Sequence, residues 1–212
     1  GADASSVAIS GSSLRLDSDP AADYEIQTDY SISIRSADTG GLSVSDSFTI
    51  LVVDAIEGRV VDAPLQGSDV FIDLDGDLVQ DTDEPTGTSD ANGFFAVENL
   101  AGSGSPKIIS IGGTDTKTGK ALPNLALMSD LPSDASKSMA VTPITTLVAV
   151  AETPAAKAKV LTALGVTGTV EELLTTDNWA EAETGDANAK ELQRKNQQVG
   201  LILQTAESLV DS

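Results

Sequence analysis

Apolar and polar residues alternate along the first half of the chain, whereas apolar residues recur at helical spacing along the second half. The alternating apolar positions are Ile32, Ile34, Phe48, Ile50 and Val52. A period of two predicts strands with one buried face. Turn residues at 39–41 and 91–93, each with glycine, separate such segments. The pattern predicts a β-rich segment first and helices afterwards.

Helix-start signals accumulate after residue 140. Thr142 and Thr153 are each followed by proline, which fits an N-cap residue and the first helical position. Gly165 fits the C-terminal cap of the second helix. A short helix is expected from Thr169 to Leu174, and a long one from 186 to 210. In the long helix the apolar residues on one face are Leu192, Val199, Ile202, Leu203, Ala206 and Leu209.

These elements predict a multidomain β plus α chain, with a β-sandwich-like N-terminal part and a small C-terminal helical bundle. We expect a partial β module over 1–54 and a β-sandwich module over 55–112. An extended connection over 113–139 and a helical module over 140–212 follow. The chain is also expected to be one segment of a longer polypeptide.

Composition excludes much enzyme chemistry. The 212 residues include no His and no Cys, which removes Ser/His/Asp and Cys/His nucleophile arrangements, zinc sites with those ligands and disulfide bonds. Aromatic residues make up only 3% of the chain, which is unfavourable for a sugar site. We expect a protein that is not an enzyme.

Charge narrows the range of partners. Asp and Glu number 33 against 12 Lys and Arg, for a net charge of −21, and residues 1–104 hold 20 of the acids and only 3 of the bases. Such a surface repels phosphate backbones and anionic lipids, so neither nucleic acid nor direct membrane insertion is expected. Divalent cations are the natural partners.

The strongest chemical signal lies at residues 73–84, where acids occupy alternate positions as in an EF-hand loop. The predicted Ca²⁺ ligands are Asp73, Asp75, Asp77, the carbonyl of Val79, Asp81 and Glu84. Calcium takes six to eight oxygen ligands, which this spacing supplies. One departure is Leu78 at loop position 6, where the helix-loop-helix version has glycine.

The residues on either side of this loop do not favour helices. Residues 70–72 form a β run and residues 85–87 have turn chemistry, so the loop is expected to join strands. Like charges about 4 Å apart at an effective dielectric of 20 cost roughly 4 kcal/mol, so the metal-free loop should loosen. The alternative is a solvated acidic turn. Mg²⁺ is disfavoured because it prefers fewer carboxylates.

Residues 57–100 resemble the B-type repeats of bacterial surface adhesins of the Sdr kind. The resemblance rests on the stretch from Gly58 to Val97, on the acidic loop and on the Asp-x-x-Gly hairpin from Asp90 to Gly93. It implies a calcium-braced β-sandwich used as a stalk segment. The segment 139–150 is similar to helical segments that follow such modules in large bacterial surface proteins.

Residues 1–54 resemble the later half of a cadherin repeat. The similar segments are 23–25, 30–41 and 48–54, and the resemblance implies inter-repeat calcium ligands at Asp23, Glu25, Asp38 and Asp54. Ser36 stands where a second acid is usual. A half repeat supplies about five of roughly seven strands, which would leave a sheet edge exposed to strand addition.

These observations favour a calcium-stabilised structural segment of a secreted bacterial cell-surface adhesin, located outside the cell and acting in cell adhesion. Its partners would be calcium and neighbouring modules of the same polypeptide. The alternative is a subunit of an extracellular fibre or surface lattice assembled by homotypic strand addition. A third hypothesis is a carbohydrate-binding or hydrolytic domain that uses Trp179, although a lone Trp between helices is more often a packing residue.

Overall fold

The computed structural model describes residues 3, 6–11, 13–16, 24, 26–52, 54–98, 105–134 and 136–210. It divides into two compact units, Gly1–Ala55 and Ile56–Ser212. Strands occupy the first part and five helices the last, so the predicted β plus α composition is confirmed. Over the described residues, no helix is both long and apolar enough to cross a membrane.

The first unit contains two antiparallel hairpins. Its strands are β1 (Val7–Ser10), β2 (Ser13–Leu16), β3 (Asp29–Ala37) and β4 (Ser43–Leu51). Tyr30 and Ile32 of β3 are buried, but all nine residues of β4 are exposed. The alternation at 48–52 therefore predicted a strand correctly. On the face that was predicted to be buried, the β3 residues Tyr30 and Ile32 are buried, but the β4 residues are exposed.

The second unit contains most of the sheet structure. Its strands are β5 (Ala55–Val60), β6 (Leu65–Gln66), β7 (Asp69–Asp73), β8 (Thr86–Thr88), β9 (Phe94–Glu98), β10 (Lys107–Ile111), β11 (Thr114–Asp115), β12 (Ala126–Asp130) and β13 (Met139–Val141). One sheet has the order β12-β10-β7-β8, a second has the order β13-β5-β9, and β11 pairs with β6. The pairs of the first sheet are antiparallel, whereas β13 runs parallel to β5.

Both of the larger sheets contribute to one hydrophobic core. Its buried members are Ile56, Val60, Leu65, Val70, Ile72, Phe95, Val97, Ile108, Leu122, Leu125, Leu127, Met139 and Val141. Most of these residues are aliphatic, as the low aromatic content requires. The strand β7, which leads into the acidic loop, is buried from its second residue to its last. The loop therefore starts from a rigid part of the molecule.

The segment 113–139 differs from the extended connection that we expected. It supplies β11, β12 and the first residue of β13, and β12 pairs with β10 along five residues. Strands of two to five residues are too short to show a clear period in the sequence. Their conformation comes from pairing with distant strands, which local sequence does not encode.

The helices follow the predicted caps closely. They are α1 (Pro143–Val150), α2 (Pro154–Leu164), α3 (Val170–Thr175), α4 (Asn178–Thr184) and α5 (Ala187–Val210). Thr142, Thr153 and Thr169 act as N-caps, and Gly165 ends α2 with φ 61°. The helix α4 was not predicted, although Asp177 before it and a glycine after it are typical cap residues.

The helices pack onto the first sheet through α1. The backbone N–H of Met128 on β12 donates to the hydroxyl of Thr146, and the hydroxyl of Thr145 donates to the carbonyl of Met128, both at 3.0 Å. On α5, Val199 is buried, but Ile202 is 66% exposed, although it was expected on the buried face. The buried stripe of α5 is therefore narrower than its sequence suggests.

Candidate metal site

The acidic loop connects two neighbouring antiparallel strands. Asp73 is the last residue of β7, and the loop ends two residues before β8. The backbone N–H of Ile72 donates to the carbonyl of Pro85 at 3.1 Å, which holds the two ends of the loop together. The expectation that the loop joins strands instead of helices is confirmed.

The loop carboxylates form two groups that share Asp75. Asp73, Asp75 and Glu84 make one group, and Asp75, Asp77 and Asp81 make the other. Within each group, one carboxylate oxygen from each residue lies within 4.8 Å of the others. Oxygens that ligate one calcium ion at 2.3–2.6 Å can be no farther apart than about 5 Å. Either group could therefore hold a metal ion.

Burial distinguishes the two groups. Asp73 is 1% exposed and Glu84 is 8% exposed, whereas Asp75, Asp77 and Asp81 are exposed. The first group thus places two buried carboxylates and one exposed carboxylate around a common point. Burying a charge is costly unless it is paired or coordinates a metal, so this group has the greater need for a cation.

Backbone N–H groups orient the two buried carboxylates. The amides of Gly76 and Leu78 donate to the two oxygens of Asp73, at 2.7 and 3.2 Å. The amide of Leu74 donates to Oε1 of Glu84 at 2.7 Å, and that of Asp81 donates to Oε2 at 3.1 Å. Each carboxylate oxygen keeps a second lone pair for another partner.

The exposed acids are oriented in the same way. The amide of Asp77 donates to Oδ1 of Asp75 at 3.1 Å, and the amide of Val79 donates to Oδ1 of Asp77 at 2.7 Å. The role of the Val79 carbonyl as a ligand stays a prediction. Asp83 belongs to neither group, although it lies in the same loop.

Over the described residues, none of these acids forms an ion pair, and Lys107, which lies opposite Asp73 in the strand register, pairs with Asp130 instead. The ion pairs found over the described ranges all lie elsewhere, on acids outside the 73–84 loop. The carboxylate of Asp77, followed by desolvation and the charges of Asp75, Glu84 and Asp83, raises the pKa of Asp81 above its usual value. Neighbouring carboxylates therefore repel the charge of Asp81 on the exposed side of the loop.

Leu78 takes the backbone conformation that glycine usually supplies at this loop position. Its φ is 65°, in the left-handed region that costs an L-residue about 1–2 kcal/mol. Gly76 has φ 89° and no such penalty. Leu78 at loop position 6 therefore replaces the usual glycine but keeps a left-handed backbone conformation.

Of the four acids predicted from the cadherin resemblance, two lie among the described residues. Asp38 lies in the turn between β3 and β4, where its Oδ1 accepts from the amide of Leu42 at 2.9 Å. Asp54 lies between β4 and β5, and neither residue belongs to an acidic group. Asp23 and Glu25 lie outside the described residues.

Trp179 is a packing residue in the structure. It is 6% exposed and clusters with Val61 and Ala63. Its Nε1 donates to Oε1 of Glu183 at 2.9 Å, and Nζ of Lys117 lies 5.2 Å from the ring centroid. A buried and partnered indole does not offer a platform for a sugar ring.

A cleft of about 470 Å³ lies among α3, α4 and α5. Three of the four acids that line it have structural partners. Glu172 caps α3, the carboxylate of Asp186 accepts from an amide at the start of α5, and Glu191 pairs with Arg194. The described residues that line the cleft include no aromatic side chain. These features do not favour the carbohydrate hypothesis.

The sequence did not indicate that the loop acids divide into two groups, nor that two of them are buried. The burial of Asp73 could have been found from the apolar run that precedes it, because that run predicts a central strand. The burial of Glu84 has no comparable signal.

No protein-family model, curated protein or solved structure matches the chain.

Proposed function

We propose that the 73–84 loop binds Ca²⁺ and braces the β part of a structural segment in a secreted bacterial cell-surface adhesin. The observation that carries the proposal is the first acidic group, in which the buried Asp73 and Glu84 converge with Asp75, and none of the three forms an ion pair over the described residues. A hard dication would balance this charge and accept the second lone pairs of the oriented carboxylates.

The position of the loop supports a bracing role. In the first acidic group, Asp73 is the last residue of β7 and Glu84 lies just before β8. An ion bound by this group would therefore tie the two strands together. Because an ion bound only to the folded form stabilises it, calcium at a hundred times Kd would add about 2.7 kcal/mol. Millimolar calcium outside a cell suits such a site.

The wider function is supported by composition and by the two resemblances. A chain without cysteine has no disulfide bonds to stiffen it, and ions are the available substitute. The finer fold proposal is that the two larger sheets of the second unit form a sandwich, because both contribute to one core. In cell adhesion, this segment would act as a calcium-stiffened spacer between neighbouring modules.

The test compares two isosteric substitutions in the same loop. Asp75→Asn removes the carboxylate that both groups share, whereas Asp83→Asn removes an equal charge that belongs to neither. In calorimetric Ca²⁺ titrations we expect D75N to weaken binding at least about tenfold, or about 1.4 kcal/mol, and D83N to change it by less than about threefold.

Thermal melts with Ca²⁺ and with a chelator complete the test. The wild type and D83N should melt at a higher temperature with Ca²⁺, while D75N should lose most of that gain. An unchanged melting temperature after complete removal of divalent ions would overturn the proposal. Equal binding by D75N and D83N would also overturn the assignment of ligands, because general charge attraction would then explain it.

A further inference from the structure

Over the part of the chain that the structure describes, the strand β4 has an open backbone edge. The amide of Val52 donates to the carbonyl of Thr28 at 2.9 Å, and the register continues from there as Asp29↔Leu51 to Ala37↔Ser43. Hydrogen bonds alternate along an antiparallel ladder, so the odd-numbered residues of β4 direct their N–H and C=O groups away from β3. Within the described ranges, β3 is the sole strand that pairs with β4.

This edge carries only one of the features that usually prevent strand pairing. Natural edge strands carry lysine, proline, a bulge or an inward-pointing charge, or they are very short, and here Asp46 lies on the apolar face. The nine residues of β4 include neither lysine nor proline, and the β3–β4 register has no bulge. Asp46 is the one charged residue on it. A long, regular and exposed edge of this kind is a template for another strand.

The hairpin formed by β3 and β4 is also amphipathic. One face carries Tyr30 and Ile32, which are buried, next to Phe48 and Ile50, which are 40% and 38% exposed. The opposite face is polar, and the hydroxyls of Ser33 and Ser47 lie 2.6 Å apart on it. A strand that extends this sheet must therefore present apolar residues at alternate positions on the same face.

We propose that β4 pairs antiparallel with β4 of a second copy of this chain, about a two-fold axis at Ser47. The sequence of β4 is complementary to itself in this register. Val44 would lie opposite Ile50 of the other copy, and Asp46 opposite Phe48, so the two carboxylates do not face each other. All nine residues pair, and the faces that carry Tyr30, Ile32, Phe48 and Ile50 lie on one side of the four strands, with Asp46 of each copy among them.

Neighbouring registers are less favourable. A shift by two residues in one direction places Asp46 opposite its own copy, where like charges repel. A shift by two residues in the other direction places Phe48 opposite its own copy, and like the first shift it leaves two residues of each strand unpaired. Shifts by one residue would pair the apolar face of one copy with the polar face of the other. Charge, alternation and the number of paired residues together favour the pairing about Ser47.

The pairing is expected to be weak. The N–H of Ser47 already donates to Oδ1 of Asp46 at 2.9 Å, so one intermolecular bond replaces an internal one. Two copies that each carry a net charge of −21 also repel each other. We expect a dissociation constant between about 1 µM and about 1 mM. The hairpin includes none of the 73–84 acids, so pairing should not require Ca²⁺.

Sedimentation equilibrium of the full 212-residue chain in a chelator, and again with Ca²⁺, measures this association. Thr49→Pro removes an outward N–H without breaking a β3–β4 hydrogen bond, and should raise the dissociation constant at least about tenfold. Thr49→Ala keeps the N–H and should leave it within about threefold. A wild type that stays monomeric up to about 1 mM would overturn the proposal.

A disulfide test fixes the register. Because the chain has no cysteine, Ser47→Cys introduces a single thiol that would lie opposite its own copy at a Cα separation of about 5.5 Å, within disulfide range. Under mild oxidation we expect S47C to form covalent dimers much faster than Ser45→Cys, whose thiol would lie opposite Thr49. Equal rates, or no dimer from S47C, would overturn this register. Calcium binding would be unaffected by either result.

Discussion

Single backbone positions decide whether the acidic loop can close. Leu78 holds a left-handed conformation at the point where glycine is usual, and its amide donates to Oδ2 of Asp73. The strain is tolerated because the same turn aims two amides at a buried carboxylate. The residue type could be read from the sequence as a departure, but its φ could not.

Leu78→Gly should therefore stabilise the protein. Removing the Cβ relieves the left-handed strain, while the added freedom of the unfolded chain offsets part of the gain, so we expect an increase of up to about 1 kcal/mol in the free energy of unfolding. Urea denaturation in saturating Ca²⁺ measures it. Val79→Gly is the matched control, because Val79 is not among the positive-φ residues, and it should lower stability. Equal effects of the two changes would contradict this explanation.

Turns and caps position the strands and helices on either side of them. In the Asp90–Gly93 turn, the carboxylate of Asp90 accepts from the amides of Asn92 and Phe94, at 2.7 and 2.9 Å. The resulting hairpin brings Gly93 against β5, where its carbonyl accepts from the N–H of Val60 at 2.8 Å, while its N–H donates to the carbonyl of Asp90 within the turn at 3.0 Å. The turn was predictable from its sequence, whereas the close approach to β5 was not.

Gly93→Ala should be more destabilising than Gly119→Ala, although both glycines have positive φ. A Cβ on Gly93, whose φ is 83°, would meet the carbonyl oxygen of Val60 at 2.6 Å. Gly119 has φ 71° but open space around it. We expect losses of about 3 kcal/mol for G93A and about 1 kcal/mol for Gly119→Ala, measured by urea denaturation. Similar losses would show that strain, and not the contact, determines the cost.

In the second unit, polar contacts hold the helices to the strands. Arg59 on β5 pairs with Asp177 at 3.0 Å, its Nε donates to the carbonyl of Asn92, and its guanidinium lies 4.7 Å from the centre of the Phe94 ring. Asp62 accepts from Nε2 of Gln204 on α5 at 3.0 Å. The Arg59–Asp177 and Asp62–Gln204 contacts join residues more than a hundred positions apart.

The contact between Asp62 and α5 should make stability depend on pH. Desolvation raises the pKa of Asp62 to about 6; the Asp115 charge adds to this, while the Gln204 hydrogen bond and the Lys120 charge oppose it. Because the folded pKa lies above the unfolded value near 3.8, the folded state favours the protonated form. This stabilisation is complete below about pH 4 and is lost as the pH rises through about 6.

Asp62→Asn keeps a hydrogen-bond acceptor but cannot ionise. Since one pKa unit corresponds to about 1.4 kcal/mol, we expect D62N to increase the free energy of unfolding at pH 8 by about 1–2 kcal/mol, with little change at pH 4. Asp134→Asn is the control of opposite sign, because hydrogen bonds from Ser136 lower the pKa of Asp134. A pH-independent effect of D62N would show that burial does not destabilise the ionised form of Asp62.

Local sequence by itself determined the caps of α1, α2 and α3, the Asp90–Gly93 turn and the spacing of the loop acids. Each of these features depends on residues within a few positions of one another. Long-range packing settled which acids are buried, how the segment 113–139 joins the sheets, and that Trp179 is enclosed. The same packing leaves the apolar residues of β4 in solvent. Burial depends on which distant segments pack together. A local pattern shows which residues are apolar, but it does not show which segment covers them.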